Sequence, residues 1–170
     1  MSGMADGYPV GGLWNWCAAG RVDAAEIRTA IAGALGRPVV GLDADTADDA
    51  LLCDIWYVGG DFPTLIDCYL APNLGFSAPT ERPGAAGGTG PAEIAEATIA
   101  SAVAVRLDVA ILLPDDTLNP TRYVLAEPDG TLRTVHVDEM ETDDGTERRH
   151  LRPCTGADPA CAAAPERNAA

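Results

Sequence analysis

The densest hydrophobic pattern in the chain is Leu51–Leu70, LLCDIWYVGGDFPTLIDCYL. Two runs, 51–58 and 62–70, are rich in aromatic, branched and aliphatic residues, and Gly59-Gly60-Asp61 lies between them, which predicts a β-hairpin. With Gly60 and Asp61 as the central residues, glycine comes first, as a type II′ turn requires. That register sets Cys53 opposite Cys68, Asp54 opposite Asp67, Ile55 opposite Ile66 and Trp56 opposite Leu65. Carboxylates facing each other on paired strands repel, so such a pair needs a wet face or a positive neighbour. A slipped register separates the two aspartates.

A helical rhythm appears twice. Ile27, Ile31 and Leu35 recur on one face, Asp23 and Glu26 make a capping-box-like start, and Gly36 and Pro38 stop the helix, predicted over 23–35. The second helix is predicted from Pro91 to Val105. Pro91 suits its first turn, Glu93 and Glu96 sit at the positive end, and Ile94, Ala95, Thr98, Ile99, Ala102 and Val103 form the buried stripe. Val39–Leu42 reads as a short strand, and Asp108–Leu113, nearly continuous in apolar residues, as a central one. Arg122–Glu127 and Thr131–Val137, joined by Pro128-Asp129-Gly130, predict a second hairpin at the less buried sheet edges. The fold class is therefore α+β: a mainly antiparallel sheet of two hairpins plus a central strand, with two helices packed on one face.

Residues 21–150 read as one domain. Residues 1–20 are Gly-rich with Tyr8, Trp14 and Trp16, which either tie the segment to the domain or form an aromatic patch for a partner. Residues 71–90 form a Pro/Gly-rich loop, and 151–170 an Ala/Pro tail expected to be disordered. The GAAGGTG run in the loop lacks the GK[ST] of a phosphate-binding loop and reads as a linker. No basic n-region opens the chain and no run reaches the length of a membrane span, so a cytoplasmic location is expected.

Charge changes the picture more than composition does. Eleven basic residues against 26 acidic give a net charge of −15 and a pI near 4.2, and every basic residue is Arg. A nucleic-acid backbone or an anionic membrane is a poor partner for this field. A basic protein partner fits it, because opposite potentials steer association. The lack of Lys with abundant Ala, Gly, Arg and Pro also matches a GC-rich coding genome, with acidity serving solubility.

Lysine-dependent Schiff-base and pyridoxal chemistry is excluded. Ser77 has no G-x-S-x-G around it. Cys53 or Cys68 with His136 could make a nucleophile and base, but both cysteines share a strand face with Ile55 and Ile66 and read as core thiols. A cross-strand Cys53–Cys68 disulfide is geometrically conceivable but unexpected in a reducing cytoplasm. Asp43, Asp45 and Asp54 match only part of a calcium loop, with Asp48 where glycine is needed. His150, Cys154 and Cys161 could ligate zinc, but their spacing is irregular and lacks a C-x-x-C pair. No catalytic residue, metal or cofactor is assigned. Asp54 and Asp67 stand as an alternative acid–base dyad for a small hydrolase, and an accessory role in a biosynthetic or secretion system as another alternative.

The main reading is a non-enzymatic binding surface of Asp43, Asp45, Asp48, Asp49, Asp54, Trp56, Tyr57, Asp61 and Asp67, in which carboxylates pair with basic side chains and the rings supply buried area. The hairpin DALLCDIWYVGGDFPTLIDCYL, the two helices and the segment LLPDDTLNPTRYVLAEPDG together resemble, over roughly residues 20–140, small bacterial immunity (antitoxin-like) proteins. The resemblance implies an acidic cytoplasmic α+β protein that neutralises a cognate toxin.

Overall fold

The computed structural model describes residues 13–44, 50–69, 91–115, 117, 119–156 and 161. Its elements are β1 (Leu13–Ala18), α1 (Ala24–Leu35), β2 (Val39–Val40), β3 (Leu51–Tyr57), β4 (Thr64–Tyr69), α2 (Pro91–Leu107), β5 (Ile111–Pro114), β6 (Arg122–Ala126), β7 (Leu132–Thr142) and β8 (Gly145–Pro153). The class is α+β, with eight strands in the order β2-β3-β4-β1-β5-β6-β7-β8. Every pairing is antiparallel except β2 with β3.

The expected hairpin forms in the expected register. Cys53 lies opposite Cys68, Asp54 opposite Asp67, Ile55 opposite Ile66 and Trp56 opposite Leu65. Its connection is closed by the Val58 N–H donating to the Pro63 carbonyl at 2.9 Å, with Gly60 at φ 89°. The central strand also forms: Ile111, Leu112 and Leu113 of β5 are all buried, as a strand covered on both faces must be. The second hairpin, β6–β7, is not at an edge as its alternation predicts. β7 runs on to Thr142 and pairs with β8, which takes the edge.

Residues 13–18, from the aromatic N-terminal segment read as lying outside the 21–150 domain, form a second central strand, β1, between β4 and β5. Trp14 and Trp16 point to the helices, stacked with centroids 5.3 Å apart, and the Trp16 Nε1–H donates to Glu96 on α2 at 2.9 Å.

Helix α1 is set by its ends. The Asp23 carboxylate accepts the Ala25 and Glu26 N–H groups at 2.8 and 3.4 Å, and Gly36 closes the helix at φ 66°, a left-handed conformation glycine adopts without cost. Asp23→Ala is expected to cost about 1 kcal/mol, read as a lower urea midpoint at unchanged slope. Ile27 and Ile31 are buried as predicted. In α2 the buried positions are Ala100, Val103 and Ala104, with Ile99 and Leu107 packed beside them, while Thr98 is exposed. The stripe is thus rotated from the predicted one, and Ile94 and Ala95 lie outside the described side chains.

Both helices join one core with Trp14, Trp16, Cys53, Ile66, Cys68, Ile111 and Leu113. The opposite sheet face carries a second core of Cys17, Phe62, Leu112, Tyr123, Leu125, Val135 and Val137. Among the described residues no helix covers that core. The sheet curls over it instead: Gly60 bridges to Arg148 of β8, the Asp61 N–H donates to the Arg148 carbonyl at 2.8 Å, and Phe62 enters the core. A Cβ on Gly60 would stand 2.7 Å from the Arg148 carbonyl oxygen, so this approach of two strands needs glycine.

Candidate functional site

Side chains alternate across a strand, so the register decides which predicted residues share a face. Asp54, Trp56, Leu65 and Asp67 belong to the helix-free face, where Leu65 joins the second core. Asn15 of β1 pairs with Asp67, extending this row. Asp54 and Asp67 are both half-buried, and among the described residues no Arg forms an ion pair with either. Trp56 is 39% exposed beside them.

The electrostatic result is visible in Asp67, whose carboxyl is held above the usual carboxylate range by burial and then by the charge of Asp54. A raised folded-state pKa means that the folded chain holds this proton more tightly than the unfolded one. Ionised Asp67 therefore costs stability above its folded pKa, and the cost vanishes as pH falls below the unfolded value. The expected outcome is that Asp67→Asn is more stable than the parent at neutral pH and that thermal melts show this gap closing as pH falls through the raised Asp67 value.

The remaining predicted residues separate. Tyr57 faces the helix side, where its hydroxyl donates to the Val22 carbonyl at 2.8 Å and Arg21 lies 5.0 Å over its ring. The Asp61 carboxylate accepts the His150 N–H of β8 at 3.0 Å, so it fastens the curled sheet. Asp43 is exposed in the connection after β2, beside Gly41. Asp45, Asp48 and Asp49 lie outside the described residues, as does the glycine-rich run of 71–90. The brought-together set is Asp54, Asp67 and Trp56.

Deeper on the same face is a polar cluster that sequence reading missed. The Tyr123 hydroxyl donates to Glu139, Arg148 Nε donates to the Tyr123 oxygen at 3.1 Å, and Arg148 pairs with Glu139 at 3.4 Å. Burial and the Glu139 hydrogen bond push the Tyr123 phenol up to about 12. The neighbouring Cys17 thiol is pushed up to about 11, mainly by burial and only partly offset by Arg148, which makes it a poor nucleophile near neutral pH. On the helix side Cys53 and Cys68 are wholly buried free thiols with sulfurs 3.7 Å apart, and the hydrogen bond between them, with burial, raises the Cys68 thiol far out of range.

His136 is nowhere in contact with these two cysteines. It is 2% exposed on β7, with Nε2 2.8 Å from Cys161 Sγ, which in turn lies 3.4 Å from Cys154 Sγ. The zinc-like triplet therefore contains His136. His150 instead points Nδ1 at Asp138, 3.0 Å away, and with Arg152 holds that carboxyl below its usual range, Arg152 contributing more. No helix among the described residues is long and apolar enough to cross a membrane. No protein-family model, curated protein or solved structure matches this chain, so its functional reading rests on the geometry above.

Proposed function

We propose that this chain is a non-enzymatic acidic binding protein that docks a cationic protein through the helix-free face of β3 and β4, with Asp54, Asp67 and Trp56 at the centre. The observation that carries the reading is the Asp54–Asp67 pair. Two half-buried carboxylates are set directly opposite each other without an arginine from the described chain, next to an exposed indole. Such an arrangement costs stability in the free protein. A guanidinium or ammonium placed between the carboxylates relieves that cost, and the indole provides the flat apolar area on which interface energy concentrates. The net charge of −15 steers a basic partner toward the molecule from any side.

The partner class we assign is a bacterial toxin with a basic substrate cleft, which an acidic protein blocks by occupying it, within the cytoplasm. The resemblance to immunity proteins supports this choice of partner. The test is capture from the native lysate on immobilised protein at low and high salt. The reading expects one cationic protein with toxin activity, retained at low salt, released by screening, and inhibited when the captured pair is reconstituted. Retention that is indifferent to salt, or a captured protein whose activity is unaffected, contradicts it.

A second reading is favoured by the raised Asp67 carboxyl beside Asp54: a proton-sharing dyad for hydrolytic acid–base work. It expects hydrolytic turnover by the purified chain that is lost in Asp67→Asn. The binding reading expects none.

A further inference from the structure

We propose that His136, Cys154 and Cys161 form a zinc-binding site that ties the segment after β8 to β7. The three donor atoms lie within 4.8 Å of one another. A tetrahedral Zn²⁺ with Zn–S of about 2.3 Å and Zn–N of about 2.0 Å separates its donors by roughly 3.5–3.8 Å. The observed separations, 2.8 Å from Cys161 Sγ to His136 Nε2 and 3.4 Å between the two sulfurs, open to that spacing with shifts under about 1 Å.

The surroundings of the imidazole supply the second argument. The Thr121 hydroxyl donates its hydrogen to Asn119 Oδ1 at 3.0 Å and so turns a lone pair toward His136 Nδ1, 3.3 Å away. This network assigns the imidazole proton to Nδ1 and leaves the Nε2 lone pair facing the sulfurs. Holding the far ring nitrogen in this way is how outer partners set the tautomer of a metal-ligating histidine. Asn119 is itself fixed, its Oδ1 also accepting the Thr121 N–H at 3.1 Å.

Charge and donor chemistry select the ion. Two thiolates and a neutral imidazole favour Zn²⁺ over Mg²⁺ or Ca²⁺, which take oxygen donors. Each thiol loses its proton to solvent as its sulfur–zinc bond forms, so two protons leave per ion. The two thiolate charges then cancel the dication, which keeps net charge out of a site whose histidine is buried. Three protein donors leave the fourth coordination position for water or an external ligand.

The experiment uses the full-length reduced protein, titrated with Zn²⁺ against a chromophoric chelator, with Co²⁺ as a spectroscopic probe. The expected result is one ion per chain, two protons released per Zn²⁺, and the visible bands of tetrahedral thiolate-bound Co²⁺. Cys154→Ser and Cys161→Ser are each expected to weaken zinc more than about 100-fold, and Thr121→Val, which only releases the imidazole, about 10-fold. Cys17→Ser leaves binding unchanged. Replacing buried His136 endangers the fold, so the two cysteines outside the core decide the matter. Failure of the reduced protein to take up zinc overturns the proposal. Zinc retained by a Cys154→Ser/Cys161→Ser double variant, or rapid alkylation of Cys161 that zinc does not slow, also overturns it.

Discussion

Replacing Asp54 and Asp67 together by asparagine is expected to lower affinity for the proposed cationic partner about 100-fold or more while making the free protein more stable. The two effects have one origin. In the free chain the carboxylates face each other across β3 and β4, and removing both charges removes a like-charge cross-strand term of about 0.5 kcal/mol. In the proposed complex the same charges would meet basic groups away from water, where losing one partner of a charge pair costs about 2–5 kcal/mol. Opposite signs for stability and binding distinguish this site from a structural one, which loses both together. A charge-matched control, Asp143→Asn with Asp144→Asn in the exposed β7–β8 turn, reduces the net charge equally and is expected to change affinity only a few-fold, mainly through the association rate. Titration calorimetry and chemical denaturation of the three proteins measure both quantities.

Trp16→Ala is expected to cost about 4 kcal/mol, a large fraction of the stability of an ordinary domain. Trp16 is 1% exposed, stacks on Trp14, and holds α2 through its bond to Glu96, from a strand that joins β4 to β5. Without the indole the two halves of the sheet lose their shared filling against the helices. A denaturation midpoint shifted far below that of the parent, or a chain that fails to fold, is the expected outcome. A cost below about 0.5 kcal/mol, as for surface changes, would contradict a central structural role for residues 13–18.

The parts of this fold that could be read from the chain are those whose information is local. Gly60-Asp61 and the flanking alternation set the β3–β4 register, and Asp23 and Gly36 set the ends of α1. β1 is short, lies next to Gly11-Gly12, and gains its role only from strands distant in sequence, which no local pattern encodes. β8, GTERRHLRP, has almost no apolar rhythm because most of its side chains are exposed, and its backbone pairing with β7 is what makes it a strand. α2 is so rich in alanine that several faces look equally apolar, and packing against α1 chooses among them.

The site divides in the same way. The Asp54–Asp67 opposition was legible from the turn, whereas the grouping of Tyr57 with Trp56 overlooked that adjacent strand residues point to opposite faces. His150 is the imidazole nearest Cys154 in sequence, but β7–β8 pairing places His136 opposite Arg152, two residues before that cysteine. Only the long-range register carries that fact. The Tyr123–Glu139–Arg148 cluster joins three strands and left no sequence signal at all.

Trp56 and Tyr57 are neighbours in sequence, similarly exposed, and on opposite faces of β3. Hydroxyl-radical footprinting of their side chains, with and without the captured cationic partner, therefore locates the docking face directly. Oxidation of Trp56 is expected to fall sharply in the complex while that of Tyr57 stays unchanged. Protection of Tyr57 with Trp56 still fully reactive would place the partner on the helix side and contradict the account.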